Sequence, residues 1–181
     1  IWDSKIVPTV DAKSVNLADI LTAMKPDAQG MAAKAGLIDV ATKYGLITVG
    51  EAHVYLVKGE AKVLSVDDKT SLGVMQIQPV GYDGPIKVNV YLGPRIPSDE
   101  TSVRDGVGFI NFGDFKEQTE YGKVGAEINN RVLAGLKGID KTQLVGKTVT
   151  FTGAMTIRTF NLVNINLQKV NIVPVKVEVK G

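Results

Sequence analysis

Residues 102–115 read "SVRDGVGFINFGDF", an arginine beside an aspartate followed by glycines and phenylalanines. Arg104 offers a planar fork of donors suited to a carboxylate or to sugar hydroxyls. Adjacent residues of an extended chain point to opposite sides, so Arg104 and Asp105 are expected to find separate partners. The favoured reading is a hydrogen-bond network that anchors a long loop, with Phe109, Phe112 and Phe115 pinning it to the body of the protein. The competing one makes Arg104 a ligand contact. Asp99, Glu100, Asp105 and Asp114 lie close enough in sequence to supply a glycosidase-like carboxylate pair, so a carbohydrate-active enzyme is the alternative function. Gly106 and Gly108 form a G-x-G, but a dinucleotide fingerprint needs a strand before it and a helix opening at once, and neither is in place. His53 is the only histidine and sits in a strand-like run, "EAHVYLV", where a structural role is expected. No metal or other cofactor is expected.

The elements that must position these residues follow from periodicity. "VNLADILTAMKP" spaces Leu17, Ile20, Leu21 and Met24 as one helical face, with Asn16 as N-cap and Pro26 as stop. A second helix is expected from Asp27 to Gly45, with Met31, Ala35, Ile38 and Ala41 on its face. From Ile47 the period changes to two. "ITVGEAHVYLV" and "AKVLSVD" flank "KGE", which reads as a hairpin turn. "SLGVMQIQPV" and "PIKVNVYLG" follow as strands, then the loop from about Gly93 to Asp114.

A helix is expected over about 115–137, with Asp114 and Glu117 at capping-box spacing and an apolar stripe of Tyr121, Val124, Ile128 and Val132. Gly122 and Gly125 in its interior cost about 2 kcal/mol together relative to alanine. Close approach to a strand or to the loop is the expected compensation. With Gln118 and Asn129 they form one polar-and-small stripe, expected to pack under the loop and bond its backbone. "KTVTFTGAMTI", "FNLVNINLQ" and "VNIVPVKVEVK" close the chain as strands, Pro174 marking an edge or a strand start.

A helical lead-in over 1–45, strands, one helix, then strands describe a mainly β (α+β) single domain spanning 1–181. The fold expected is a small antiparallel OB-fold-like barrel over 46–181 with one helix inserted mid-barrel. A β-sandwich is the competitor.

Composition narrows the function. Lys and Arg total 21 against 19 Asp and Glu, a net charge of +2 with the lysines scattered, so a nucleic-acid partner is not expected. The absence of cysteine removes disulfides and thiolate chemistry. No apolar run reaches the length of a membrane span. The opening "IWDSKIVP" is expected to be the start of a processed product whose targeting segment lies upstream.

"LGPRIPSDETSVRDGVGFINFGDFKEQTEYGKVGAEIN", with the opening "IWDSKIVPTV" and the closing "GKTVTFTGAM" and "NIVPVKVEV", resembles the predicted periplasmic lipoproteins of bacteria, a domain-of-unknown-function family often encoded beside ribose-type sugar ABC transporters. Gly93-Pro94, Arg104-Asp105, the three phenylalanines, Gln118, Tyr121 and Asn129 carry the likeness. Just before Arg104 stands "DETS", where the family pattern has Gly-Thr and a small residue. The resemblance implies an OB-like barrel, export, and a lipid-anchoring cysteine upstream that supplies the only membrane attachment. The implied role is a non-enzymatic accessory lipoprotein, with a sugar ABC transporter, its binding protein or a small sugar as partner. Arg104, Asp105, Asn111, Gln118, Tyr121 and Asn129 are the candidate ligand-binding or loop-anchoring residues.

Overall fold

The computed structural model describes residues 1–181. The chain opens on a π-helical turn, Trp2–Ile6, that runs into α1 (Val7–Lys13). After a short strand, β1 (Val15–Asn16), α2 (Leu17–Met24) begins as its sequence predicts, the Asn16 side chain accepting the Ala18 N–H at 2.9 Å. Leu17, Ile20, Leu21 and Met24 are all buried.

The second helix does not start at Asp27. Gly30 turns the chain with φ +81°, and Met31–Ala33 form strand β2, whose backbone groups pair with residues 164–166. The helix α3 (Lys34–Tyr44) starts only after it and buries Leu37, Val40 and Ala41, leaving Ile38 exposed. A short strand, β3 (Leu46–Ile47), leads to β4 (Ala52–Asp67).

β4 overturns the expected hairpin. Lys58, Gly59 and Glu60 lie mid-strand and pair straight across with Thr152, Phe151 and Thr150. The inward–outward alternation passes through them: Val57, Ala61 and Val63 are buried, Lys58, Glu60 and Lys62 exposed. A Cβ on Gly59 would lie 3.3 Å from the Phe151 ring, so this glycine makes room for a cross-strand aromatic rather than for a turn.

The chain continues through β5 (Val74–Pro79), β6 (Lys87–Tyr91), α4 (Ser102–Gly106), a 3₁₀ turn at Phe112–Asp114 and α5 (Gln118–Leu136). A 3₁₀ turn at Lys141–Gln143 precedes β7 (Thr148–Arg158), β8 (Asn164–Asn166) and β9 (Lys169–Val179). Pairing runs β4-β5-β6-β9-β7 and back to β4, so five strands close into a ring with only β6 and β9 parallel. With α5 between the third and fourth strands of the ring, this is an OB-fold-like arrangement, and the sandwich is excluded. The strand expected over 160–168 contracts to β8, which pairs with β2 outside the ring. Pro174 lies beyond the stretch where β9 pairs with β6, opposite Gly153 at a bulge.

Two apolar clusters hold these layers together. One joins ring residues such as Val57, Met75, Val90 and Met155 to Leu21 and Leu37 of α2 and α3. The other sets Leu56, Ala154 and Val173 against Val103 and Val107 around α4 and Ile128 and Val132 of α5. β4 is therefore covered on both faces near its start, which is why "HVYLV" is buried without alternation.

Candidate functional site

Residues 102–106 are helical, not extended, and this reverses the expectation for Arg104 and Asp105. About 100° apart around a helix, the neighbours turn to one side, and Arg104 Nε donates to Asp105 Oδ1 at 2.9 Å. α4 sits between the ring and α5. Val103 and Val107 anchor it in the outer core, and Gly106 lets it approach: a Cβ there would lie 2.8 Å from Leu56 Cδ2.

Asp105 takes three donors. Besides Arg104, the Tyr121 hydroxyl donates to Oδ1 at 3.0 Å and Thr101 Oγ1 donates to Oδ2 at 2.8 Å. The Arg104 guanidinium lies 3.7 Å from the Tyr121 ring centroid, and Nη1 donates to the Tyr121 carbonyl at 3.4 Å. Burial, and then the Asp105 charge, push the Tyr121 phenol above its ordinary range. Phe112 meets the Tyr121 ring edge-on at 5.5 Å and Phe115 at 5.6 Å, so these two brace Tyr121 rather than the barrel. Phe109 and Phe112 stay exposed and belong to neither buried core, so they do not pin the loop to the ring as expected.

Beneath this network lies a second one that sequence reasoning missed. Glu100 is buried, its carboxylate accepting from Ser102 Oγ at 2.6 Å and from the Tyr91 hydroxyl at 3.4 Å. Ser102 Oγ also lies 2.6 Å from Thr156 Oγ1 of β7. Burial raises the Glu100 carboxyl, against the lowering effect of the Ser102 hydrogen bond. The Tyr91 phenol is pushed up to about 12 by burial and then by Glu100. Because the folded state holds the Glu100 proton more tightly than the unfolded chain, this group lowers stability as pH rises from the ordinary carboxylate range through the raised value. Relative to the parent, Glu100→Gln is expected to gain stability as pH rises from the ordinary carboxylate range through the raised one, as read from urea midpoints. A variant that loses ground over that rise would refute the assignment.

The stripe on α5 divides. Asn129 is buried and donates to the Glu100 carbonyl at 3.0 Å, bonding the segment's backbone as expected. Gln118 is exposed and makes no hydrogen bond to the segment. Asn129→Ala is expected to cost about 1–3 kcal/mol, and Gln118→Ala less than about 0.5 kcal/mol, by chemical denaturation. The glycines divide as well. A Cβ on Gly125 would lie 3.3 Å from Arg104 Nη1 and 3.4 Å from Thr101 Cγ2, whereas Gly122 has nothing within 4 Å. Gly122→Ala is therefore expected to add about 1 kcal/mol from helix propensity, and Gly125→Ala to forfeit that gain by crowding Arg104. Equal thermal midpoints for the two variants would remove the distinction.

Above the networks opens a cleft of about 670 Å³ between residues 46–50 and 108–113, floored by Arg104, Asp105 and Tyr121, with Asn111 on its wall. Four of the six candidate residues thus meet in one place; Gln118 and Asn129 do not reach it. The strand expected to run on from Ile47 is interrupted here: after Leu46–Ile47 the chain turns at residues 48–51, the Glu51 N–H donating to the Thr48 carbonyl, before β4 begins at Ala52, and that turn is the wall the sequence did not show.

Three of the four carboxylates are held within the protein. Asp105 is bonded three times, Glu100 is buried below, and Asp114 accepts the Asn111 N–H at 3.3 Å. No group of three His, Asp or Glu side chains is placed to hold a metal ion. Gly106 packs on Leu56, and Gly108 turns the chain out of α4 with φ +83° at the edge of the cleft. His53 is buried with Nδ1 unpartnered, and burial lowers its pKa.

The fold has a counterpart in a solved structure, an OB-fold protein from Thermotoga maritima, superposing with a TM-score of 0.61 at 16% identity over 99% of this chain and 93% of the other. At that identity the likeness speaks for the fold alone. No curated protein matches the chain in sequence. Residues 1–178 match the model of the predicted periplasmic lipoproteins (DUF2291), and the chain belongs to that family.

Proposed function

We propose that this periplasmic lipoprotein is a non-enzymatic binding protein that serves sugar-type ABC transport by holding a small sugar-bearing ligand in the Arg104–Tyr121 cleft. No helix is long and apolar enough to cross a membrane, which accords with attachment by lipid. The cleft itself carries the reading. Its floor is a fixed hydrogen-bonding surface, braced from behind by α5, and its walls carry Leu46, Ile47, Val49, Ile110 and Phe112 alongside Thr48 and Asn111. This combination of convergent polar groups in an apolar concavity is what small-molecule sites share. The acidic group on the floor is committed to three protein donors, which favours holding a ligand over general acid or base work.

A thermal-shift screen of pentoses, hexoses and nucleosides tests the reading. A ligand at a hundredfold its dissociation constant should add about 2.7 kcal/mol, a rise of about 5–10 °C in Tm for a chain of this size. Saturable stabilisation without chemical change of the ligand is the expected result. Flat curves for every compound would turn the cleft over to a protein partner.

A further inference from the structure

The charges that line the cleft restrict what it can hold. Arg104 and Asp105 are the only charged residues on its surface, and they neutralise each other at 2.9 Å with side chains 11% and 18% exposed. No lysine shares the lining. A phosphate entering here would meet a guanidinium already committed to a carboxylate, with that carboxylate beside it as a like charge.

The unspent hydrogen-bonding capacity is of a different kind. Of the five guanidinium N–H groups, Nε bonds Asp105 and one on Nη1 bonds the Tyr121 carbonyl, leaving three without protein partners. Asp105 Oδ1 already accepts two donors, but Oδ2 accepts only Thr101 and has room for one more. Spare donors thus stand next to a spare acceptor. Hydroxyl groups, which both donate and accept, complement that edge; a fully charged group does not.

The walls ask for something more than hydroxyls. Ile47 and Phe112 are 41% and 57% exposed, and Val49 is fully exposed. A volume of about 670 Å³ lies within the range of sites for drug-sized molecules, with room beyond one sugar ring. A ligand that covered these side chains would bring a flat aromatic ring along with its polar edge.

We infer that the cleft takes an uncharged ligand joining a flat aromatic ring, whose faces pack on the apolar side chains, to a hydroxyl-bearing edge, the chemistry of an unphosphorylated nucleoside, and discriminates against the phosphorylated form. The inference rests on the binding reading above and narrows it to a ligand class.

Isothermal titration of the full chain with adenosine, uridine, adenosine 5′-monophosphate and D-ribose provides the test. Adenosine or uridine is expected to bind at least tenfold more tightly than either the monophosphate or ribose. Two substitutions probe the charge account. Asp105→Asn leaves a net cationic floor, and Val49→Lys adds a cation to the wall at a side chain with nothing to lose from the fold. Each is expected to shrink the monophosphate's disadvantage at least threefold. Val49→Lys keeps the test valid should Asp105→Asn fail to fold.

A monophosphate that binds the parent protein as tightly as the nucleoside, or ribose that matches adenosine, overturns the ligand class and leaves a binding cleft in place. Nucleoside affinity that neither substitution redistributes also overturns it, because the cleft is then not where binding occurs. Silence from all four probes removes this inference; silence in the wider sugar screen as well removes the binding reading beneath it.

Discussion

Asp105→Ala is expected to lower the unfolding free energy by about 3–5 kcal/mol. The reason is the state in which it leaves Arg104. At 11% side-chain exposure, the guanidinium lies against the Tyr121 ring and Gly125 and meets water only on the side that faces the cleft. Removing the carboxylate strands that charge, and also frees the Thr101 and Tyr121 hydroxyls. An exposed ion pair would be worth less than about 1 kcal/mol, so the size of the loss reports desolvation.

Two further variants separate the contributions. Tyr121→Phe keeps the ring under Arg104 but deletes one charge-assisted hydrogen bond, and should cost about 1.5–3 kcal/mol. Arg104→Ala combined with Asp105→Ala should fall short of the summed single losses by about 0.5–3 kcal/mol, since the second substitution removes a charge the first had stranded. Urea denaturation supplies all these values. An Asp105→Ala loss under about 1 kcal/mol would mean the pair is solvated, and the fixed floor of the cleft would go with it.

The ring was legible in the chain and the site only in part, for reasons that lie in particular residues. Lys87 to Leu92 and Val173 to Val179 alternate over enough positions for the period to be counted, and α5 carries its stripe through Ile128 and Val132. One helix between two sets of strands then leaves few topologies. α4 offers nothing comparable. Its five residues, Ser-Val-Arg-Asp-Gly, are apart from the arginine poor or middling helix formers, and too few for a period. What makes them helical is tertiary: Val103 and Val107 drop into the outer core and Gly106 fits over Leu56. A helical reading would have put Thr101 and Asp105 at i, i+4, where they do bond, so the signal was present once the segment's conformation was known. Lys58-Gly59-Glu60 failed in the opposite sense. Its local chemistry matches a turn, but eleven consecutive pairings with β7 outweigh it, and a glycine in a strand looks the same from the sequence whether it bends the chain or admits a neighbour.

Gly153 is the sharper example of that ambiguity, and Gly153→Ala should cost about 3 kcal/mol or more. Its backbone needs no positive φ, so alanine is conformationally acceptable; the obstacle is space. At the bulge between Thr152 and Gly153, a Cβ would stand 2.5 Å from the Val173 carbonyl oxygen, 2.9 Å from Ile172 Cγ2 and 3.2 Å from Pro174 Cα. Two of these three atoms are backbone, and no rotamer change moves them. β7 cannot withdraw either, because it is paired on its other side to β4 across the whole ring. The methyl group must therefore pry β7 from β9, opening the sheet where Ala154 and Val173 meet the outer core. The strain also has a path to the cleft: Thr156, three residues along β7, holds Ser102 at the start of α4. Amide hydrogen exchange in Gly153→Ala should thus accelerate over residues 102–106 as well as along β9, alongside the lowered denaturation midpoint. Stability within about 0.5 kcal/mol of the parent would show that the bulge yields, and that the glycine serves no close approach.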